Sequence, residues 1–147
     1  MYKNIFIDLD NTLWDFHTNS KNVLSVLFFK YGLDKYFKDF DEYFKIYSEH
    51  NDYLWEQYAL NKINKDELNK ERFAYPLRVK NLDMPEVEEG MQNNYLPLLS
   101  EQTVLMPGCI ETLDYIKLLS KNTTKFSCSI GENDVSQTPM TPWFDGI

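Results

Sequence analysis

The chain has 147 residues, with 43% hydrophobic and 16% aromatic content, which is enough for one packed domain and too apolar for general disorder. The formal net charge of -8 at pH 7 argues against a protein that binds a nucleic-acid backbone, because the surplus of Lys and Arg that neutralises phosphates is missing. The negative net charge does not exclude binding of a small phosphorylated ligand, because a bound metal ion can make the electrostatic potential of a site positive.

Cysteine usage and the apolar segments indicate the compartment. Cys109 and Cys128 have neither metal-ligand spacing nor a disulfide-rich pattern, so free thiols in a reducing cytoplasm are expected. Residues 1–7 are too short for a signal peptide, and no apolar run approaches the ~20 residues that span a bilayer. We therefore expect a cytoplasmic protein with no nucleic-acid or membrane partner, while the sequence leaves the oligomeric state open.

The first predicted element is a strand at residues 2–9. Its continuous apolar run at 5–7 is typical of a central parallel strand that is covered on both faces, and a turn signal at 10–12 ends it. Ligands of open α/β sheets bind at the carboxyl ends of the strands. Asp8 and Asp10 therefore lie where chemistry is expected.

Residues 20–99 show helical periods only. The first predicted helix has N-cap candidates at 17–20 and ends at Gly32. Its predicted apolar face consists of Val23, Leu24, Leu27, Phe28 and Tyr31. A longer helix is predicted from a sustained stripe of Tyr and Phe over residues 37–58, which we interpret as core.

Asn51 interrupts that aromatic stripe. Because a buried amide needs partners, it predicts either a structural hydrogen bond inside a helical bundle or a ligand contact where the bundle meets the rest of the chain. Three large aromatic residues, Trp14, Phe16 and Trp55, could stack on a base, but core packing is the first interpretation for each.

Two further helices are predicted from capping-box signals. Asn64 with Glu67 predicts the start of a third helix, and Asp83 with Glu86 predicts the start of a fourth. Pro76 is expected to kink or shorten the third helix. Four helices with short links predict a small antiparallel bundle.

Strand-like sequence returns at residues 103–106. An amphipathic helix at 110–119 and a weak strand at 125–130 follow. The order strand, helical insert, helix, strand predicts the α/β class, with a Rossmann-like parallel-sheet core and an inserted helical-bundle cap.

The expected boundaries place the core at residues 1–16 and 100–147 and the cap at 17–99. Only about two core strands can be identified, fewer than a parallel sheet needs to bury its faces. The core is therefore expected to be incomplete, either because the chain is truncated or because a shifted reading frame has altered its tail.

Asp8 and Asp10 are suited to chemistry on a phosphate ester. Carboxylate oxygens bind Mg²⁺, which usually completes its octahedron with water and substrate phosphate. A phosphoryl group beside one carboxylate invites nucleophilic attack, and the second carboxylate could protonate the leaving oxygen. Taken alone, an Asp-x-Asp sequence is more often an acidic turn that caps a neighbouring group.

The segment Asp8-Leu9-Asp10-Asn11-Thr12, after an apolar strand and before a helical insert, resembles the first motif of the haloacid-dehalogenase-like (HAD) hydrolases. The resemblance implies that Asp8 is the nucleophile and a metal ligand, and that Asp10 is the acid/base and binds the metal through its backbone carbonyl. The second acid is the pattern of the phosphatases and phosphomutases. Mg²⁺ as cofactor and a small phosphorylated metabolite as substrate are implied with it.

The helical insert is similar to that of the nucleoside 5'-monophosphate phosphatases, which include the noncanonical pyrimidine nucleotidases. The residues that carry this similarity are Asn51, Leu54, Trp55, Tyr58, Arg72 and Phe73. It implies a nucleoside monophosphate as the substrate. The substrate-binding residues implied are Leu9, Asn11, Asn51 and Ser129.

The family's second motif is a phosphate-binding Ser or Thr that is usually followed by Asn-Gly. Ser129 corresponds to it, with Ile130 in place of the usual Asn. A competing alignment sees the family's late acidic motif in residues 131–134. The later Lys and acids of the family are not identifiable.

Three functions remain open. The first is a Mg²⁺-dependent phosphomonoester hydrolase that acts through an aspartyl-phosphate. The second is a catalytically inactive fragment or binding module, and the third is a phosphomutase.

Overall fold

The computed structural model describes residues 4–120 and 125–129. In chain order they form β1 (Asn4–Asp8), α1 (Phe16–Lys30), a short 3₁₀-helix (Leu33–Lys35), α2 (Phe40–Ala59), α3 (Lys65–Val79), α4 (Pro85–Ser100), α5 (Cys109–Ser120) and β2 (Lys125–Ser129). The chain divides into a strand-bearing unit, residues 1–20 and 99–147, and a helical unit, residues 21–98. Among the described helices, none combines the length and the apolar character that a membrane span requires.

The two strands pair in parallel and in register, with Asp8 opposite Ser129. Parallel neighbours require a crossover connection, and the intervening helices supply it. Phe6 is 77% exposed, so the expectation of a strand covered on both faces is wrong for the described residues, which leave the Phe6 side of β1 uncovered. The described sheet has two strands, and a complete Rossmann-like core stays a prediction.

Residues 103–106 do not form the expected strand. They are extended, and Leu105 makes an isolated antiparallel bridge with Trp14. The N–H of Met106 donates to the carbonyl of Leu13 at 2.9 Å. This segment therefore pairs with the loop that follows β1. Because that loop is short and curved, the two do not form the continuous hydrogen bonding of a β-sheet.

The first helix begins earlier than its expected N-cap candidates. Residues 17–20 already lie inside α1, because the Asp15 carboxylate accepts hydrogen bonds from the backbone N–H and the hydroxyl of Thr18. The predicted end is confirmed, since Gly32 follows the helix with a φ of 65°. The predicted apolar face is also confirmed by the buried residues Val23, Leu24, Leu27 and Phe28.

The long aromatic helix starts at Phe40, three positions after the start of the predicted stripe. Asp39 is its N-cap, and its carboxylate accepts the N–H of Glu42 at 2.9 Å. Trp14 is buried, as interpreted, whereas Trp55 is 42% exposed. The core interpretation of Trp55 is wrong because it lies beside Leu54, the buried residue of this turn, and points away from the core.

The third helix has the predicted capping box. The Asn64 side chain accepts the Glu67 N–H at 2.9 Å, and the Glu67 carboxylate accepts the Asn64 N–H at 2.8 Å. Pro76 does not shorten the helix, which continues to Val79. Pro76 is buried, so the packing of its ring stabilises the helix at a position where proline lacks the N–H for a helical hydrogen bond.

The fourth helix begins at Pro85, so Asp83 is not its N-cap. The Met84 carbonyl accepts the first N–H groups of the helix, and proline suits the first helical position because its missing N–H would have no helical partner there. All four helices contribute to one buried aromatic and aliphatic core. Its fully buried members include Phe28, Tyr43, Phe73, Leu77, Met91 and Tyr95.

Candidate active site

Asp8 ends β1, and Asp10 follows two residues later; both are exposed. Leu9 between them is 4% exposed and anchors the loop. Its carbonyl accepts the N–H groups of Thr12 at 3.3 Å, and of Leu13 and Trp14 at 3.0 Å each. These three hydrogen bonds to one carbonyl hold the loop in a tight turn, which fixes the backbone positions of Asp8 and Asp10. Since the Leu9 side chain is buried, its implied substrate contact would have to use the backbone.

Asn11 holds this loop to the helix that follows. Its φ of 56° lies in the left-handed region, which Asn tolerates better than most residues. Its N–H donates to the Trp14 carbonyl at 2.8 Å, and its side-chain Oδ1 accepts the His17 N–H at 3.2 Å. The side chain implied to contact substrate therefore also has a structural role, which the sequence did not indicate.

Asn19 is a buried residue of this unit that sequence reasoning assigned only as a capping candidate. It is fully buried, and its amide makes two hydrogen bonds with the backbone of Val104, at 2.8 and 3.1 Å. Nearby, the Trp14 indole Nε1 donates to the Gln102 carbonyl at 3.0 Å. These bonds keep the segment after α4 beside the loop that carries Asp10.

The two acids affect each other electrostatically. The pKa of Asp10 is raised, first because surrounding atoms partly desolvate its carboxyl although the residue as a whole is exposed, and second by the negative charge of Asp8. A carboxyl of this kind keeps a proton to higher pH than an isolated Asp. That property suits a group that must donate a proton.

Ser129 is brought next to Asp8. The two are register partners at the carboxyl ends of parallel strands, whose backbones lie about 4.8 Å apart. Contact of the Ser129 side chain with phosphate stays a prediction. The competing motif at residues 131–134 lies outside the described residues.

Asn51 lies on α2 in the helical unit. Its Oδ1 is buried and has no hydrogen-bond partner among the described residues. The structural hydrogen bond that was the first interpretation is therefore not made by this oxygen. A ligand contact at Asn51 stays a prediction.

Asp8 and Asp10 fit part of a Mg²⁺ site. Mg²⁺ is commonly held by one or two carboxylates and fills its other positions with water and substrate phosphate. A cation would also offset the repulsion that raises the pKa of Asp10. Within residues 4–120 and 125–129, no three His, Cys, Asp or Glu side chains cluster in a way that could hold a metal ion.

Comparisons with known proteins identify the fold. No family model and no curated protein matches the sequence. Among solved structures, the chain is similar to YfnB from Bacillus subtilis, described as a HAD-hydrolase and crystallised bound to magnesium, with a TM-score of 0.72 and 20% sequence identity. The similarity covers 86% of this chain and 51% of that one, so this chain spans about half the length of its neighbour. It supports a HAD-like fold and leaves the nucleotidase branch a prediction.

Proposed function

We propose that this chain is part of a Mg²⁺-dependent phosphatase that hydrolyses small phosphorylated metabolites, with a nucleoside monophosphate as the preferred class. One observation carries the proposal: two exposed carboxylates, with Asp8 in register with Ser129, stand at the end of a parallel strand in a fold similar to that of a HAD-hydrolase. The proposal takes residues 1–16 and 100–147 as the catalytic core, residues 17–99 as the cap, and the cytoplasm as the location.

The first chemical step is phosphoryl transfer to Asp8. A carboxylate oxygen of Asp8 attacks phosphorus, and the bond from phosphorus to the ester oxygen breaks. Asp10, protonated at the start, donates its proton to that leaving oxygen. The raised pKa of Asp10 supports this role, because its carboxyl retains a proton to higher pH than an ordinary Asp.

The second step releases phosphate and restores both residues. Asp10, now ionised, takes a proton from water as the water oxygen attacks the phosphorus of the aspartyl-phosphate. The bond between phosphorus and the Asp8 oxygen breaks, Asp8 returns as a carboxylate and Asp10 regains its proton. One acid thus serves both steps without net change.

The carboxylate of Asp8 and the backbone carbonyl of Asp10 would hold Mg²⁺, which would neutralise charge on the phosphoryl group and leave the Asp10 carboxyl free to carry the proton. The proposal assigns phosphate contacts to Ser129 and to the backbone of Leu9 and Asn11. It assigns a contact with the remainder of the substrate to Asn51. Asn11 and Thr12, which follow the acids in the chain, are exposed.

The test is hydrolysis of p-nitrophenyl phosphate and of nucleoside monophosphates by the pure chain, with Mg²⁺ and with a chelator. We expect Mg²⁺-dependent turnover that is lost in Asp8→Asn and retained in Asp52→Asn, a matched change at an exposed position of α2. Turnover that survives Asp8→Asn would refute the nucleophile assignment.

Asp10→Asn tests the proton donor separately. A p-nitrophenolate leaves without a proton, whereas a nucleoside alkoxide needs one. In a single turnover, we therefore expect a larger loss of leaving-group release with nucleoside monophosphates than with p-nitrophenyl phosphate. Equal losses with both substrates would contradict the proton-donor role.

A catalytically inactive fragment or binding module is the second candidate. It is favoured by the absence of a third acidic ligand among the described residues and by coverage of half of the structural neighbour. It predicts that the pure chain binds Mg²⁺ or phosphate without turnover. A phosphomutase would transfer phosphate within a sugar phosphate instead of releasing it, which product analysis separates.

A further inference from the structure

Arg72 on α3 is the one charged side chain that is buried among the described residues. It is 6% exposed, and none of the ion pairs between described residues involves it. Its Nε is also buried without a hydrogen-bond partner. Guanidinium groups remain charged in proteins, so among the described residues this cation has no carboxylate partner and its Nε donor has no acceptor.

The surroundings of Arg72 attract its charge without accepting its hydrogen bonds. The guanidinium carbon lies 5.0 Å from the centroid of the Phe73 ring and 4.9 Å from that of Tyr95. Aromatic faces stabilise a cation at these distances. The ring faces themselves accept no hydrogen bond in the plane of the guanidinium, and the Nε–H of Arg72 has no acceptor among the described residues.

Asn51 on α2 supplies a second polar group without a partner. It follows Tyr47 by four residues and so lies on the same face of the helix. The Tyr47 ring is 5.7 Å from that of Phe73, the neighbour of Arg72 on α3. The face of α2 that carries Asn51 thus packs on the stretch of α3 that carries Phe73, the residue after Arg72.

We propose that Arg72 and Asn51 bind hydrogen phosphate inside the helical unit. Arg72 N–H groups donate to the phosphate oxygens, and Asn51 Oδ1 accepts the phosphate hydroxyl. A bridging water could satisfy both hydrogen-bonding groups, but it would leave the buried Arg72 cation without a negatively charged partner. An oxyanion that keeps a hydroxyl pairs with the Arg72 charge, accepts a hydrogen bond from its N–H groups and donates one to Asn51 Oδ1. The inference does not rest on the proposed hydrolysis, since it needs neither Asp8, nor Asp10, nor a metal; Asn51 is the one residue that both proposals use.

The chain contains two arginines, which gives the experiment an internal control. Arg78 is exposed and paired with the Glu71 carboxylate. We would titrate sodium phosphate into the full chain, with chelator and in the Asp8→Asn background, and follow the Nε–Hε NMR signals of both arginines. We expect a saturable shift at Arg72 and none of similar size at Arg78. Matching shifts at both, or no saturable shift at Arg72, would overturn the proposal, the latter outcome indicating water alone.

Two substitutions test the assigned contacts. Arg72→Lys keeps the charge but loses the planar donor pair, so phosphate affinity should fall by about tenfold or more, whereas Arg78→Lys should leave it unchanged. Sulfate and, at neutral pH, methyl phosphate largely lack the hydroxyl, and each should bind more weakly than phosphate. Asn51→Leu should abolish that preference. Unchanged affinity in Arg72→Lys, or a preference that survives Asn51→Leu, would reject the site as assigned.

Discussion

The buried amide of Asn19 and the backbone of Val104 satisfy each other completely in hydrogen bonding. Asn19 Nδ2 donates to the Val104 carbonyl at 2.8 Å, and the Val104 N–H donates to Asn19 Oδ1 at 3.1 Å. One side chain therefore takes the place of a strand partner for the segment after α4. Because α1 carries Asn19, the position of that segment depends on the start of α1 and on the loop that precedes it.

Replacing Asn19 by Leu should destabilise the chain by about 2–4 kcal/mol, since a buried N–H and a buried carbonyl each lose their partner. Urea denaturation would measure the change. Asn93→Leu on the exposed face of α4 is the matched control, with an expected effect within about 0.5 kcal/mol. Equal effects of the two substitutions would show that the Asn19 bonds contribute little.

Gly90 on α4 accommodates Tyr31 at very close range. A Cβ at Gly90 would lie 2.4 Å from the Tyr31 hydroxyl oxygen and 2.7 Å from the ring carbon that bears it. Alanine favours a helix over glycine by about 1 kcal/mol, but overpacking costs about 1–3 kcal/mol. We therefore expect Gly90→Ala to destabilise the chain on balance, as measured by urea denaturation.

A double-mutant cycle separates the clash from the helix preference. In the Tyr31→Ala background the close contact is gone, so Gly90→Ala should become neutral or stabilising. If Gly90→Ala destabilises by the same amount in both backgrounds, the Tyr31 contact is not the cause.

Local rules predicted much of the fold. The capping box at Asn64, the apolar face of α1 and its end at Gly32 each depend on residues close together in the chain, so the sequence was sufficient. The structural neighbour supports the HAD-like fold that the Asp8–Thr12 segment suggested. The roles of Asp8 and Asp10 remain predictions.

The features that the sequence did not predict depend on interactions between residues far apart in the chain. Residues 103–106 read as a strand, but their partners are the loop after β1 and the side chain of Asn19, which periodicity cannot indicate. The burial of Arg72 was missed because charged residues are seldom buried. Strand formation and the burial of an amide or a guanidinium all depend on which residues from distant parts of the chain pack beside them.

Asp10 should destabilise the metal-free chain in its ionised form. Its pKa is raised above the ordinary 3.8 by burial and by Asp8, so the folded state holds the proton more tightly than the unfolded chain. The penalty is fully present above the raised pKa and vanishes as the pH falls below 3.8. Asp10→Asn removes the charge and should raise the thermal midpoint at neutral pH, with a difference that shrinks in acid.

Two controls accompany the Asp10 measurement. Asp52→Asn, an exposed change on α2, should leave the midpoint nearly unchanged. Adding Mg²⁺ should stabilise the unmodified chain more than Asp10→Asn, because the bound cation lies beside two negative charges in the unmodified chain and beside one in the variant. A lower midpoint for Asp10→Asn in metal-free buffer at neutral pH would contradict the electrostatic account.

Glu42 connects the start of α2 to Lys80, the residue that follows α3. Its carboxylate accepts hydrogen bonds from Lys80 Nζ at 2.6 Å and from the Lys38 N–H at 2.8 Å. The bond from Lys80, followed by that from Lys38, lowers the pKa of Glu42 below its ordinary 4.5. The stabilisation is therefore present above 4.5 and is lost as the pH falls through the lowered pKa.

Glu42→Gln should consequently lower the thermal midpoint at neutral pH, with a gap that closes in acid as the unmodified Glu42 takes up its proton. Thermal unfolding over an acidic pH series measures both trends. Glu49→Gln is the matched control, because Glu49 is exposed and lies 3.9 Å from its partner Lys45, where a surface pair contributes little. If the thermal midpoints of the two variants change with pH in the same way, the contacts of Glu42 stabilise the fold no more than those of an exposed carboxylate do.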